Sequence, residues 1–158
     1  MNVVCIVGKS KTDKSGLMEG LIKELKSRGI RVGALKYHKH GDFEMDVEGK
    51  DTWKYAKAGA DTVAISSSVK FAVIQKVKEE MGIDDICNKY FSDNDIVLAD
   101  GFTLSEKPRI IAADTEEDIE VFRRGFSVVA VVGKAGSRFD DIKGIADKIL
   151  EFSGRTGN

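Results

Sequence analysis

The first 29 residues carry the pattern that most restricts how this chain can fold. Residues 3–7 read VVCIV, a continuous apolar run, and such runs are typical of strands buried on both faces of a parallel sheet. After Ser15 the apolar residues recur every three to four positions as far as Gly29, which predicts an amphipathic helix that ends at a glycine. A strand, a short loop and a helix form the arrangement that a phosphate-binding loop requires.

The loop between strand and helix, GKSKTDKS at residues 8–15, is close to the phosphate-loop consensus G-x-x-x-x-G-K-[ST]. In such loops, backbone N–H groups surround phosphates at a helix N-terminus, where the helix dipole favours anions. The lysine, here Lys14, neutralises charge on the β- and γ-phosphates, and the hydroxyl, here Ser15, binds Mg²⁺. We therefore predict nucleotide contacts from Gly8, Lys9, Ser10, Lys11, Thr12, Asp13, Lys14, Ser15 and Gly16. The alternative is a lysine-rich turn that binds no ligand.

Asp13 stands where the consensus has its second glycine. It is sterically tolerable, because aspartate is among the few residues that adopt left-handed geometry. Its carboxylate is less favourable, since each phosphate charge at about 6 Å and an effective dielectric of about 20 repels it by about 3 kcal/mol before screening. Lys9, Lys11 and Lys14 would offset part of this repulsion, whereas Gly16 costs the helix up to ~1 kcal/mol relative to alanine. The sequence therefore predicts weakened binding rather than an impossible site.

The remaining sequence alternates between strand-like and helix-like segments. Strands are predicted at 30–35, 62–66, 70–75, 95–102, 109–113 and 128–133, and helices at 51–59, 76–91, in the acidic segment after 113 and from 142 onward. The runs at 62–66 and 70–75 are too close for a helical crossover and predict an antiparallel hairpin. We expect one α/β domain over 1–158, a P-loop NTPase-like three-layer fold with a mainly parallel sheet and a small antiparallel hairpin. Residues 152–158 are predicted to be a flexible tail.

The strand predicted at 95–102 ends in Asp100 followed by Gly101. At the carboxyl end of such a strand, phosphoryl-transfer folds place an acid that holds Mg²⁺ or its waters, or orients attacking water. Gly101 leaves the backbone room to turn close to a ligand. Alone this signal is weak, because many strands end in Asp-Gly turns. Together with the loop at 8–15, it makes Asp100 the predicted catalytic residue and a predicted metal ligand beside Ser15.

Residues 36–46, KYHKHGDFEMD, form a charged segment without clear periodicity. Three interpretations are open. Imidazole and carboxylate groups are metal ligands, so His38 and His40 with a nearby acid could bind a metal. The segment could instead be a switch-like loop over the nucleotide, with Asp42 or Asp46 contacting Mg²⁺ or its waters. The third interpretation is an ordinary charged surface loop.

Composition and charge exclude several classes of protein. The formal net charge is −1, so no global positive field favours nucleic acid. No apolar run approaches the roughly 20 residues that span a bilayer, and the N-terminal apolar run ends at Gly8, too early for a signal peptide. Cys5 and Cys87 provide neither a disulfide framework nor zinc-ligand spacing. We therefore expect a cytoplasmic protein without nucleic-acid or membrane partners.

An ordered series of segments resembles the MobB family, the molybdopterin-guanine dinucleotide biosynthesis protein B family. The series consists of the loop, helix and His/Asp segment over 7–46, GKDTWKYAKAGADTVAISS at 49–67, and DIVLADGF at 95–102 followed by KPRI at 107–110. His38, His40 and Asp42 match the family's His/Asp segment. The combination is specific, whereas any one piece would not be.

This resemblance implies a P-loop fold that binds GTP with Mg²⁺ and assists the MobA-type guanylyltransferase that attaches GMP to molybdopterin. It also implies a homodimer with weak intrinsic GTPase activity, and molybdopterin itself is a further candidate partner. Carried over by position, Gly8, Lys14 and Ser15 hold phosphate and Mg²⁺, and Asp100 stands where the family usually has glutamate. The predicted metal ligands are Ser15, Asp100 and Asp42.

Two other functions remain open on the sequence. Asp13, Gly16 in place of a second hydroxyl residue, and Thr103 in place of a lysine all lie near the expected phosphates. These departures favour an adapter that does not hydrolyse nucleotide, and that docks onto the transferase or carries molybdopterin. The other alternative is a metal-delivery GTPase that uses His38 and His40. The leading prediction is a GTP-binding accessory protein that is at most a weak GTPase.

Overall fold

The computed structural model describes residues 2–9, 12–134 and 136–155, and strands and helices alternate along this part of the chain. The strands are β1 (Asn2–Gly8), β2 (Val32–Lys36), β3 (Thr62–Ser66), β4 (Phe71–Gln75), β5 (Ile96–Asp100), β6 (Arg109–Ala112) and β7 (Val128–Val132). The helices are α1 (Lys14–Ser27), α2 (Asp51–Lys57), α3 (Ile83–Tyr90), α4 (Glu116–Arg123) and α5 (Ile142–Phe152). No helix within the described residues is long and apolar enough to cross a membrane.

Five strands form a parallel sheet, and the other two form an antiparallel hairpin. The parallel sheet has the order β2-β5-β1-β6-β7, with β1 at its centre. β3 pairs with β4 from Thr62 opposite Gln75 to Ser66 opposite Phe71. The predicted fold class, a P-loop NTPase-like α/β fold with a mainly parallel sheet and a small hairpin, is therefore confirmed.

The chain divides into two compact units. The first, here called the sheet unit, runs up to Tyr37 and resumes at Ile83, and it contains the parallel sheet with α1, α3, α4 and α5. The second, here called the hairpin unit, consists of residues 38–82 and contains α2 and the β3–β4 hairpin. The hairpin unit is thus an insertion in the sequence between β2 and α3.

Both faces of the parallel sheet are covered, which explains the unbroken apolar run of β1. Val4 and Ile6 pack on one face with buried residues of α1 and α5. Cys5 lies on the opposite face with Cys87 of α3 and Ile119 of α4. Burial raises the pKa of both thiols, so the two cysteines are inert residues of the core.

The hairpin unit buries little apolar surface. Within residues 38–82, Val63 is the one buried apolar side chain. The large apolar side chains that are exposed, from 36% at Val73 to 92% at Val69, are Phe43, Met45, Val47, Tyr55, Ile65, Val69, Phe71, Val73, Ile74 and Val77. A two-stranded hairpin without a covered apolar face is only marginally stable in water.

The helix predicted over 76–91 is shorter in the structure, because α3 begins at Ile83. The prediction is wrong for 76–82, which forms no helix. This stretch has only two large apolar residues, Val77 and Met81, and Val77 is 55% exposed. Without packing, nothing compensates the cost of nucleating so short a helix.

Asp95 joins three segments at the amino edge of the parallel sheet. Its carboxylate accepts hydrogen bonds from the Arg31 guanidinium, Nε and Nη2, each at 3.1 Å, and from the Arg31 backbone N–H at 2.9 Å. Arg155, just after α5, forms an ion pair with the same carboxylate at 3.1 Å. Of the tail predicted at 152–158, Phe152 is the last residue of α5, and residues 156–158 lie outside the described part of the chain.

Arg109 is fully buried at the start of β6, beneath the loop 101–108 that connects β5 to β6 without a helix. Its guanidinium donates to the carbonyl oxygens of Phe122 (2.8 Å), Thr103 (3.4 Å) and Ser105. The guanidinium carbon also lies 4.2 Å from the centre of the Phe126 ring. Burial lowers the pKa of Arg109, and within the described residues its Nε has no hydrogen-bond partner. One buried cation thus holds together a loop and the end of α4.

Candidate functional site

The carboxyl edge of the parallel sheet brings the predicted phosphate loop and the predicted acid together. β1 ends at Gly8, opposite Ala112 of β6, and β5 ends at Asp100, opposite Ile6 of β1. A Cβ atom on residue 8 would overlap the Ala112 carbonyl oxygen, so glycine is required for the close approach of β1 and β6. α1 then begins at Lys14, and its N-terminus lies at this edge. Ligands of open α/β sheets bind at such carboxyl edges.

The Lys14 ammonium is bound by oxygen atoms of its own loop. Nζ donates to the carbonyl oxygens of Gly8 (3.2 Å) and Lys9 (2.6 Å) and to the Thr12 hydroxyl (3.2 Å). Burial lowers the pKa of Lys14, the Asp100 carboxylate opposes this shift, and the Lys36 ammonium adds to it. The three protons of Lys14 therefore have acceptors at the place where a phosphate loop presents this charge to a nucleotide.

Asp13 is the N-cap of α1. Its carboxylate accepts a hydrogen bond from the Gly16 N–H at 2.9 Å, and its φ of −75° is not left-handed, so the expected need for left-handed geometry does not arise. A Cβ atom on residue 16 would overlap the Asp13 carboxylate. The same Asp-x-x-Gly cap begins α5, where the Gly144 N–H donates to Asp141 at 3.2 Å. The two departures from the consensus, Asp13 and Gly16, are thus one structural feature.

Lys9 is paired outside the loop. Its ammonium lies 2.7 Å from the carboxylate of Asp118 in the first turn of α4. The hydrogen bond with Asp118 raises the pKa of Lys9, and the same contact lowers the pKa of Asp118. Lys9 therefore has a carboxylate partner outside the loop, whereas Lys14 is hydrogen-bonded to neutral oxygens and keeps its positive charge. The expected partial offset of the Asp13 charge by the loop lysines stays a prediction. The predicted contacts of Ser10 and Lys11 lie outside the described residues.

Asp100 is buried at the end of β5 and forms an ion pair with Lys36. Lys36 ends β2, directly opposite Asp100 in the β2–β5 pairing, and its Nζ lies 2.8 Å from Oδ2. A groove of about 350 Å³ exposes Ser15, Lys36 and Asp100 to the same open space. Gly101 has φ of +95° beside the Tyr37 carbonyl, as expected for a residue that turns the backbone sharply.

The predicted switch or metal segment lies in the hairpin unit. The His38 and His40 rings are 5.9 Å apart, edge to face. Asp42 and Asp46 each accept a hydrogen bond from the next backbone N–H, that of Phe43 and that of Val47. In the described part of the chain, no group of three or more His, Cys, Asp or Glu side chains is placed to hold a metal ion. The role of Asp42 as a third metal ligand stays a prediction.

The donor chemistry of the sheet unit fits Mg²⁺ and a nucleotide phosphate. A hydroxyl (Ser15) and a buried carboxylate (Asp100) border one space, and both are the hard oxygen ligands that Mg²⁺ prefers. Within the described residues, the oxygens that bind the Lys14 ammonium are neutral, and a phosphate would be a stronger, charged acceptor. Two carboxylates oppose the fit: Asp13 at the α1 N-terminus and Glu19, which also lines the groove.

From the sequence, Lys36 is one of several clustered basic residues that a phosphate-sized ligand would explain, but its pairing with Asp100 is not predicted, and Asp118 has no predicted role. Lys36 meets Asp100 only through the pairing of β2 with β5, whose partners are 64 positions apart. Asp118 meets Lys9 because β6 and its following helix lie beside β1. The available signal was that each residue comes shortly after a predicted strand, and therefore near the carboxyl edge of the sheet. The strand order that turns this signal into a contact had to come from the structure.

The sequence comparisons point to one family. The profile described as "Molybdopterin guanine dinucleotide synthesis protein B" (MobB) matches residues 3–134. The chain is 33% identical over 107 residues to a molybdopterin-guanine dinucleotide biosynthesis adapter protein of Haemophilus influenzae, a match that covers 67% of this chain but only 60% of that protein. The adapter protein of Escherichia coli is 29% identical over 158 residues, with 90% of this chain and 88% of that protein covered.

Solved structures agree with the sequence comparisons. A crystal structure of molybdopterin-guanine biosynthesis protein B has a TM-score of 0.80 at 34% identity and covers 96% of this chain and 99% of its own. Bacillus subtilis MobB, at 24% identity, has a TM-score of 0.71 over 84% of this chain and 80% of its own, and it supports the fold alone. Because the family profile spans most of the sequence, the chain belongs to the molybdopterin-guanine dinucleotide synthesis protein B (MobB) family.

Proposed function

We propose that this protein binds GTP with Mg²⁺ at residues 8–16 and acts as an adapter in molybdopterin-guanine dinucleotide biosynthesis. In this role it assists a MobA-type guanylyltransferase in the cytoplasm. Relatives carrying the name of adapter proteins in this pathway support the biological role. The observation that carries the nucleotide part is the convergence of Lys14, Ser15 and Asp100 at the carboxyl edge beside β1.

Three side chains have separate roles in this proposal. Lys14 exchanges the Gly8 and Lys9 carbonyls for oxygens of the β- and γ-phosphates. Ser15 and Asp100 hold Mg²⁺, directly or through its waters, and Asp42 is a further candidate ligand. When bound, Mg²⁺ neutralises part of the triphosphate charge. Asp100 also orients attacking water, and the protein is at most a weak GTPase.

Calorimetric titration with GTP tests the nucleotide part. We expect binding that requires Mg²⁺ and that weakens about tenfold or more in Lys14→Ala, because a charge-assisted contact is lost. Lys26→Ala is the matched control, since Lys26 is an exposed lysine in the last turn of α1, at the opposite end from Lys14. Titrations of the wild type that give no heat with GTP or GDP up to millimolar concentration would contradict the proposal.

The cap formed by Asp13 favours one alternative, an adapter that does not turn over nucleotide. In this alternative the protein docks onto the transferase or carries molybdopterin, and the α1 N-terminus is occupied by its own carboxylate. Asp13→Gly should then raise GTP affinity, and an unchanged affinity would exclude Asp13 as the limiting group. Retention of the transferase by Lys14→Ala in a pull-down would favour docking that is independent of nucleotide.

The exposed hairpin supports the homodimer. Ile65 and Phe71 are 60% and 66% exposed on strands with almost no buried side chain, and apolar patches of this kind mark interfaces. Light scattering should give twice the mass of the chain, and Phe71→Asp should give the monomer. Leu104→Asp is the control, because Leu104 is 78% exposed but lies in the sheet unit. A monomeric wild type would contradict the homodimer.

A further inference from the structure

The Lys36–Asp100 ion pair joins an exposed, long-chain cation to a buried carboxylate. The Asp100 side chain is 12% exposed, whereas the Lys36 side chain is 68% exposed. A buried carboxylate needs a cation or a set of donors near it, and Lys36 supplies that cation from the solvent side. The long lysine stem allows its ammonium to move by several ångströms without any change in β2.

Lys36 faces the space that the predicted metal ligands face. The groove of about 350 Å³ has Ser15, Lys36 and Asp100 among its lining residues, and the rest of its wall comes from α1 and β2. The Lys36 ammonium also contributes to the lowered pKa of Lys14, so the two cations are close enough to interact. Lys14, Lys36, Ser15 and Asp100 therefore lie near one another in the sheet unit, and Glu19 of α1 is a second carboxylate on the groove wall.

The strand order determines which phosphate Lys36 can reach. β5, which carries Asp100, lies between β1 and β2, so Lys36 is on the side of Asp100 away from Gly8. Mg²⁺ in phosphate-loop proteins bridges the β- and γ-phosphates. A cation placed beyond the acidic metal ligand, as Lys36 is, therefore lies nearest the terminal phosphate. GDP has no phosphate in that position.

We propose that Lys36 is a second phosphate-binding lysine, which leaves Asp100 and recognises the γ-phosphate of GTP. This inference rests on the proposed function, because it assigns one more residue to the same nucleotide site. The exchange is coupled to metal, because the buried Asp100 loses its cation when Lys36 moves, and a Mg²⁺ ion held by Ser15 and Asp100 would supply the missing positive charge. Lys36 thus makes the preference for GTP over GDP dependent on Mg²⁺.

Titrations of GTP and GDP into Lys36→Met, in the presence of Mg²⁺, test this assignment. We expect GTP affinity to fall about 10- to 100-fold, as for loss of a hydrogen bond to a charged group, and GDP affinity to change less than about threefold. Lys36→Arg keeps the charge and should keep most of the preference for GTP. Lys26→Met, which removes an exposed lysine in the last turn of α1, should leave both affinities unchanged.

Two outcomes are distinguishable. If the wild type binds neither nucleotide, the proposed function itself fails. If the wild type binds both and Lys36→Met loses both equally, or neither, the role of Lys36 is overturned while the nucleotide site stands. Should Lys36→Met not fold, the Nζ resonance of Lys36 in ¹⁵N-lysine-labelled wild type decides the question. A shift with GTP and Mg²⁺ but not with GDP and Mg²⁺ supports the role, and identical spectra overturn it.

Discussion

The sheet unit and the hairpin unit use their apolar residues in opposite ways. In the described residues, every buried apolar side chain except Val63 belongs to the sheet unit, and most large exposed apolar side chains belong to the hairpin unit. The sheet unit therefore finds its packing partners within one chain. The apolar side chains of the hairpin unit remain largely exposed, and this exposure is the observation behind the proposed homodimer.

The largest expected effect is on the free energy of unfolding, when the same substitution, isoleucine to alanine, is made in each of the two units. Ile6 is fully buried in β1 and Ile65 is 60% exposed in β3. Ile6→Ala should lower the free energy of unfolding by about 2–5 kcal/mol, because it removes buried methyl groups and leaves a cavity. Ile65→Ala should change it by less than about 0.5 kcal/mol. Urea unfolding measures both, and equal losses would break the comparison.

A substitution of Arg109 tests whether the stability of the sheet unit depends on a buried cation as well as on apolar packing. Arg109→Met should lower the free energy of unfolding by about 2–4 kcal/mol, because the carbonyls of Thr103, Ser105 and Phe122 lose their donor. The control is Arg123→Met, whose arginine is 48% exposed in its pair with Glu120 and is worth less than about 1 kcal/mol. A fully stable Arg109→Met would mean that the cost of burying the charge cancels its hydrogen bonds.

The two aspartate N-caps of the sheet unit, Asp13 on α1 and Asp141 on α5, allow the effect of a cap on stability to be separated from its effect on GTP binding. Asp13→Ala and Asp141→Ala should each lower the free energy of unfolding by about 1 kcal/mol, because each removes the same type of N-cap. Only Asp13→Ala should alter GTP affinity, since Asp141 lies at the start of α5. Thermal unfolding and calorimetry of the two variants measure these quantities. A change in GTP affinity in Asp141→Ala would show that helix stability, rather than the carboxylate, controls binding.

The smallest effect concerns pH and the amino edge of the sheet. Hydrogen bonds from Arg31 hold the pKa of Asp95 far below its usual range. A depressed pKa stabilises the fold above the unfolded-state pKa of about 4, and this contribution is lost as the pH falls below that value. The midpoint of thermal unfolding should therefore differ between wild type and Asp95→Asn at pH 7, and the difference should shrink toward pH 3. A difference that does not depend on pH would contradict this account.

The fold was predictable where local pattern and tertiary packing agree. The β-branched run of β1 and the four-residue spacing of Leu17, Leu21 and Leu25 are both satisfied by the two-sided sheet. The helix predicted at 76–82 failed because helical propensity acts weakly without an apolar face that packs. The division into two units was not predicted, because no change in composition marks residues 38 and 82.

The candidate site was predictable in its residues but not in their contacts. Lys14, Ser15 and Asp100 could be named from motif spacing and from the position of an acid at a strand end. The partners of these residues, Lys36 above all, depend on which strands are neighbours in the sheet. The cap at Asp13 had a readable signal, the Asp-x-x-Gly pattern that recurs at 141–144, but the phosphate-loop consensus assigned the same residues to a ligand.

The contact between Asp13 and Gly16 has a consequence for how this loop can evolve. A side chain introduced at position 16 collides with the Asp13 carboxylate, and a glycine introduced at position 13 removes the acceptor of the Gly16 N–H. Replacing Asp13 by glycine also removes the carboxylate that a side chain at position 16 would meet, so the cost of a substitution at position 16 depends on the residue at position 13. A side chain at position 16 is therefore free of this overlap only after Asp13 has been replaced.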